Sequence, residues 1–221
     1  LSNSVIELFE IASVYLPQAS GLPDQRRMLG LTSGGGFLEL KGVLETLLAT
    51  IAPGAEFTTQ AYDSPFFTAG QGAELKLCGK LLGYLGVVSE AAREKFDLRG
   101  ETAVAEIDLG LLVDAAVLVR RAQELSPYPP VARDLNIVVD EKIRWADVEQ
   151  LVRQGCGELL ESLSFQEEYR SADKLGPGKK SLLFSIQLRS ATGTLTNEEA
   201  DKLRDKVVAT LSKQLGGQLR A

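Results

Sequence analysis

Gly178-Lys179-Lys180-Ser181-Leu182-Leu183-Phe184-Ser185-Ile186-Gln187-Leu188-Arg189 is the stretch on which the fold of the second half turns. Leu182, Phe184, Ile186 and Leu188 share one side, and Ser181, Ser185, Gln187 and Arg189 the other. That period of two predicts a strand with one packed face and one solvated face. A polar loop follows, and then Thr196 and Glu199 form a T-x-x-E capping box. The helix it opens carries Ala200, Leu203, Val207, Leu211 and Leu215 at helical spacing, and Gly216-Gly217 supplies a stop.

Working upstream, residues 163–170 alternate again, with Leu163, Phe165 and Tyr169 against Ser164, Gln166, Glu168 and Arg170. A helix is predicted from Trp145 to Leu160, and a strand from Leu135 to Val139. With a last short strand at Gln218 to Arg220, the order is that of a split βαβ, ferredoxin-like domain. Both helices then cover one face of the sheet. Asn136, Gln166, Arg170, Ser185, Gln187 and Arg189 are expected on the other, while Trp145 and Tyr169 are expected in the core. Three prolines within Ser126-Pro127-Tyr128-Pro129-Pro130 mark a boundary, because proline fits neither a central strand nor a helix interior. Domains at 1–126 and 127–221 follow.

The first half reads differently. A long strand is expected over 5–16, with Ile6, Leu8, Ala12, Val14 and Leu16 on one side, and a second from Arg26 to Thr32. The spacing of Phe37, Leu40, Leu44, Leu47, Leu48 and Ile51 predicts a helix, closed by Pro53-Gly54. Ser33-Gly34-Gly35-Gly36 before it matches no phosphate-binding glycine motif and reads as a flexible loop. Residues 56–88 read as strands, with a hairpin over 74–88 and glycines 83 and 86 marking bulges or close backbone approach. Ser89 can cap a short helix, and Thr102 to Leu109 is another strand. The class is therefore α+β, with antiparallel sheets whose uncovered faces need partners.

Composition excludes several chemistries. The chain has no histidine, which rules out Ser-His-Asp and Cys-His catalysis and His-containing metal sites. Cys78 and Cys156 are far apart and read as free thiols of a reducing compartment. No apolar run approaches the ~20 residues of a membrane span, and a start at Leu1 is what a piece of a longer protein would show. Residues 1–127 carry a net charge of −6 and residues 128–221 a net charge of zero. Any nucleic-acid contact must therefore be local. No carboxylate pair is spaced as general acid and base, so neither a catalytic residue nor a metal site is expected.

Three motifs carry a resemblance: Tyr128-Pro129-Pro130-Val131-Ala132-Arg133-Asp134-Leu135, Gly178-Lys179-Lys180-Ser181-Leu182 and Thr194-Leu195-Thr196-Asn197-Glu198-Glu199. In this order they resemble the ferredoxin-fold anticodon-binding domain of the bacterial phenylalanyl-tRNA synthetase beta-subunit family. Upstream, Leu8-Phe9-Glu10-Ile11, the segment 37–48 and Ala105-Glu106-Ile107-Asp108-Leu109 resemble the same family's catalytically silent, class II synthetase-like region. The family often has Phe and Arg where this chain has Tyr128 and Ala132.

The resemblance implies a non-catalytic part of a cytoplasmic enzyme, without membrane contact. Its partners would be the tRNA for phenylalanine and an alpha subunit, in a heterotetramer of two alpha and two beta subunits. The parent would use ATP and magnesium in the alpha subunit, with no cofactor in this chain. The family's editing site would lie upstream of these residues. The residues expected to meet tRNA are Lys179, Lys180, Ser181, Arg170, Gln187, Arg189 and Arg133. Arg133 and Asp134 also read as a structural pair at the proline-rich entry. The rival reading is a ferredoxin-like module that senses a small molecule such as an amino acid, without RNA.

Overall fold

A computed structural model describes residues 6–120 and 126–220. The chain divides into two compact units, Leu1–Ala122 and Gln123–Ala221. Both rest on antiparallel sheets, as the α+β reading requires. Among the described residues, no helix is long and apolar enough to cross a membrane.

The first unit holds β1 (Glu7–Leu16), β2 (Asp24–Ser33), α1 (Phe37–Ile51), β3 (Phe57–Ala61), β4 (Phe67–Leu77), β5 (Lys80–Val88), α2 (Glu90–Lys95), β6 (Ala103–Asp108) and α3 (Leu109–Asp114). Its six strands run β1-β2-β6-β5-β4-β3. Leu40, Leu44 and Leu48 of α1 pack with Leu29, Leu75, Leu85 and Ile107 to form the core, so α1 covers one face. The hairpin turn at Cys78-Gly79 has positive φ at both residues. Such a two-residue turn matches the twist of the flanking strands. At Gly83 an added Cβ would stand 1.9 Å from the Glu106 carbonyl oxygen, the close approach its sequence position foretold. Ser89 caps α2 by accepting from the Ala92 amide. The expected apolar side of β1 is not buried: Leu8 is 64 % and Leu16 43 % exposed, because β1 is an edge strand beyond the reach of α1. The short α3 was not foreseen; Asp108 caps it by accepting from the Gly110 and Leu111 amides.

The second unit holds β7 (Val131–Asp140), α4 (Trp145–Cys156), β8 (Leu160–Arg170), α5 (Ala172–Leu175), β9 (Lys179–Leu188), α6 (Asn197–Leu215) and β10 (Gln218–Leu219). The strands run β10-β7-β9-β8, the split βαβ order. Leu135, Ile137, Val139, Leu182, Phe184, Ile186 and Leu188 pack beneath Val148 and Val152 of α4 and Val207 and Leu211 of α6. The helix expected to reach Leu160 ends at Cys156. Gly157, at φ +56°, turns the chain out, and Leu160 already belongs to β8. The Thr196–Glu199 capping box forms in both directions. Cys156 is buried, which pushes its thiol pKa up, with Lys206 partly opposing; Cys78 is exposed, and both thiols are free.

Candidate nucleic-acid interface

The face of the second sheet that α4 and α6 leave uncovered is built strand by strand. Residues directly opposite each other in an antiparallel ladder share a face. In β9 the odd positions Lys179, Ser181, Leu183, Ser185 and Gln187 look outward, opposite Asp140, Val138, Asn136, Asp134 and Ala132 of β7. The even positions, from Lys180 to Leu188, look toward the helices.

On β8 the simple alternation fails. Phe165 faces Phe184 on the helix side, but the register shifts between Phe165 and Glu167. The extra residue of such a bulge reverses the parity of all that follows. Glu168 then lies opposite the buried Leu182, Tyr169 opposite Ser181, and Arg170 opposite Lys180. Two expectations are corrected by this one irregularity. Arg170 is on the helix side, not on the open face beside Gln187, and Tyr169 is on the open face, not in the core. Trp145 is in the core as expected, with ring centroids 5.1 Å from Phe165 and 5.3 Å from Phe184.

The cations proposed from sequence mostly have protein partners. Lys180 is only 6 % exposed, and its Nζ lies 3.0 Å from Glu168 Oε2. Arg170 spans Glu168 and Glu141, with Nε donating to Glu141 Oε1 at 2.9 Å. That guanidinium holds the Glu141 carboxyl below its ordinary range. Arg133 does not pair with Asp134. It lies opposite Ile186, on the helix side, and its Nε donates to Asp201 Oδ1 of α6 at 2.8 Å. Its Nη2 donates to Asn197 Oδ1 at 3.1 Å, and the hydrogen bond from Arg133 to Asp201 lowers the Asp201 pKa. Asp134 faces the other way and accepts from the Ser185 hydroxyl. Arg189 holds the proline-rich entry: Nη1 donates to the Tyr128 carbonyl at 2.7 Å, Nη2 lies 2.9 Å from Glu161, and Nε is buried without a partner among the described residues. Ser181 is 1 % exposed and donates to Asn136.

Lys179 and Gln187 are the two sequence-predicted residues that stand on the open face without a charged or side-chain partner among the described residues. The structure adds Lys174 of α5 and Arg220, which also make no ion pair there. Together with Asn136, Glu167, Tyr169, Ser181 and Leu183, Lys174 and Arg220 line a shallow basin of about 290 Å³. The Arg220 amide bonds the Asn136 carbonyl at 2.8 Å, which extends β10 along β7. Its guanidinium carbon then sits 5.5 Å from the Tyr169 ring centroid, a cation–π distance. Nothing in the sequence marks these residues, since their meeting depends on the bulge in β8. Gln166 donates to Ser185 and Ser185 to Asp134, so the rest of the face is a polar ladder bonded to itself. The arrangement offers two free cations and one aromatic edge around a basin, with Lys179 beyond it. It can hold a few phosphates but cannot wrap a duplex.

Comparison with known proteins gives two family matches. "Ferredoxin-fold anticodon binding domain" matches residues 126–220, and "Phenylalanyl tRNA synthetase beta chain CLM domain" matches residues 2–109. The phenylalanine–tRNA ligase beta subunit of Rhodopirellula baltica is 38 % identical over 225 residues, covering 97 % of this chain and 33 % of that protein. The subunit of the same name from Clostridium acetobutylicum is 32 % identical, covering 99 % of this chain and 28 % of that protein. The chain thus spans about a third or less of the length of these relatives. Among solved structures, the pyrrolysyl tRNA synthetase PylSc of Desulfitobacterium hafniense overlays on 51 % of this chain and 41 % of its own, at 22 % identity and a TM-score of 0.36.

Proposed function

This chain belongs to the phenylalanyl-tRNA synthetase beta-chain family, and on that premise we propose that its second unit binds the anticodon stem-loop of the tRNA for phenylalanine. The contact surface is the open face of the sheet, with Lys179, Lys174 and Arg220 meeting phosphates and Gln187 and Tyr169 bordering them. One observation carries this reading: Lys174, Lys179 and Arg220, which make no ion pair among the described residues, stand together at that face, while Arg133, Arg170, Lys180 and Arg189 are held by carboxylates. Those four act as positioning residues, and Ser181 orients Asn136 at the floor of the basin.

The face carries Asp134, Asp140 and Glu167 as well, so binding by this unit alone is weak and salt-sensitive. The test is to titrate the tRNA against the assembled enzyme with Lys179→Ala and Arg220→Ala combined. Each lost phosphate contact lowers the slope of log affinity against log salt by about 0.7–0.9. An unchanged slope in a folded variant places the contact elsewhere. The basin also suits a zwitterion, because Lys174, Arg220 and Glu167 all line it. Saturable calorimetric binding of phenylalanine without tRNA binding would favour the amino-acid-sensing reading instead.

For the first unit the proposed role is to scaffold the alpha subunit. Among the described residues, edge strand β1 pairs only with β2 and leaves Phe9 72 % and Ile11 52 % exposed. Exposed apolar strands of this kind are normally covered. Phe9→Glu with Ile11→Glu should abolish co-purification with the alpha subunit, and retained co-purification would refute this surface. In the parent heterotetramer of two alpha and two beta subunits, ATP and magnesium would act in the alpha subunit to join phenylalanine to tRNA. The donor set here does not fit them: the cavity on the open face of the first sheet is lined by Glu10 and Glu106 and by no lysine or arginine. A triphosphate would meet only negative charge there.

A further inference from the structure

That cavity, on the face of the first sheet away from α1, has a volume of about 740 Å³. Pockets for small ligands commonly fall between about 300 and 1,000 Å³. Its walls are aromatic. The Tyr62 and Tyr84 ring centroids are 4.5 Å apart, and Phe67 meets Tyr62 edge-on at 6.4 Å and Phe66 at 5.5 Å. The site is shaped by small residues beneath these rings. A Cβ added at Gly86 would come within 2.5 Å of the Phe67 ring, and one at Gly72 within 2.8 Å. Phe67 therefore lies on a glycine bed that no other residue could supply without moving it.

The charge is one-sided. Glu10 lies opposite Gly30 and Gly30 opposite Glu106, which itself lies opposite Tyr84. All four share one row and one face. Gly30 has no side chain, so an open slot about 10 Å wide separates the two carboxylate-bearing strands. Neither Glu10 nor Glu106 makes an ion pair or side-chain hydrogen bond among the described residues, and no cation lines the cavity. Paired carboxylates beside stacked tyrosines attract an ammonium group, through charge and through the ring faces together. They repel any ligand that carries its own carboxylate or phosphate.

We propose that this cavity is a binding site for a cationic arylalkylamine, with its ring among Tyr62, Tyr84 and Phe67 and its ammonium between Glu106 and Glu10. This site lies within the first unit and is independent of the tRNA reading, so either can fail alone. The test uses the 221-residue chain, with 2-phenylethylamine as probe and 3-phenylpropionate as its anionic counterpart, followed by calorimetry and by ligand-observed NMR. The amine should bind saturably, and the propionate and phenylalanine, both carboxylates, at least about tenfold more weakly. Glu106→Gln, an exposed and nearly isosteric change, should weaken the amine about tenfold while the melting curve stays in place; Glu10→Gln serves as the second variant. Absence of saturation with the amine, equal binding of amine and propionate, or unchanged amine affinity in both folded variants would each overturn the proposal.

Discussion

Among the described residues, the first unit's ion pairs, Arg26–Asp24, Lys41–Glu45 and Lys76–Glu74, join residues no more than four apart in sequence. In the second unit Arg133–Asp201, Arg170–Glu141, Lys180–Glu168 and Arg189–Glu161 join separate elements or distant positions. Both sheets have helices on one face, yet they use charge in opposite ways. In the first, the fold rests on apolar contact, and the uncovered face keeps aromatic rings and unpaired carboxylates for a partner. In the second, Arg133, Arg170, Arg189 and Lys180 staple strands to their surroundings, beside the local pairs of Arg144, Arg153 and Arg204. A count of basic residues therefore overstates the surface available to RNA.

The sharpest way to separate the units is to damage one core. Phe184 is fully buried between Trp145 and the helices. Phe184→Ala should cost the second unit about 3–5 kcal/mol. The chain has a single tryptophan, Trp145, so its fluorescence reports on the second unit. Its urea midpoint should fall steeply while hydrogen exchange in β2 and β6 is unchanged. Equal loss of protection in both units would mean that they unfold as one.

Next in size is the buried staple. Glu168→Ala leaves the Lys180 ammonium buried without that partner, at an expected cost of about 3 kcal/mol. Lys180→Met combined with Glu168→Leu should recover most of it, because no buried charge is then left unpaired and Arg170 keeps Glu141. A pair that is only decorative would show almost no loss in the single variant.

How far the sequence foretold this contrast depends on which kind of information each feature needs. Alternation in β9 and the capping box at Thr196 are local, and both read correctly. The order of elements in the second unit followed from them. The bulge after Phe165 left no such mark, since one inserted residue in a polar run changes no composition. It alone moved Arg170 to the helix side and Tyr169 to the open face. Partners were equally hidden: Arg133 adjoins Asp134 in sequence, but neighbours on a strand point to opposite faces, and the true partner is 68 positions away. The end of α4 was misplaced because Leu159 and Leu160 continue an apolar pattern beyond Gly157, where backbone geometry stops the helix. In the first unit the cavity required rows of residues from five strands, and pairing across strands is not written in any one of them.

A smaller effect tests the other half of the contrast. Lys179→Ala with Arg220→Ala removes two cations that make no ion pair among the described residues, so stability should fall by no more than about 1 kcal/mol, the cation–π contact of Arg220 with Tyr169, while the salt slope of tRNA binding falls. A large loss of stability would class these residues with the staples.

The smallest effect is the response to acid, and it follows from the staples themselves. Asp201 is held below its ordinary value of 3.8 by the hydrogen bond from Arg133, and Glu141 below 4.5 by the one from Arg170. Asp147 is lowered by Arg144, and Glu199 by the Thr196 amide. For each, the folded pKa lies below the unfolded one. The stabilisation is therefore complete above the ordinary value and is lost as pH falls through the folded value. Glu141 and Glu199 are exposed and Asp147 and Asp201 half-exposed, so solvent screening keeps each contribution modest. The urea midpoint followed by Trp145 fluorescence should be flat near pH 6 and decline below about pH 4.5. Arg133→Gln removes the largest cause of the Asp201 shift, leaving only the weaker pull of Arg204, and so should make that decline shallower. If the variant falls as steeply as the parent, the long-range pairs are not what acid releases, and the division of labour between staples and free cations loses its energetic basis.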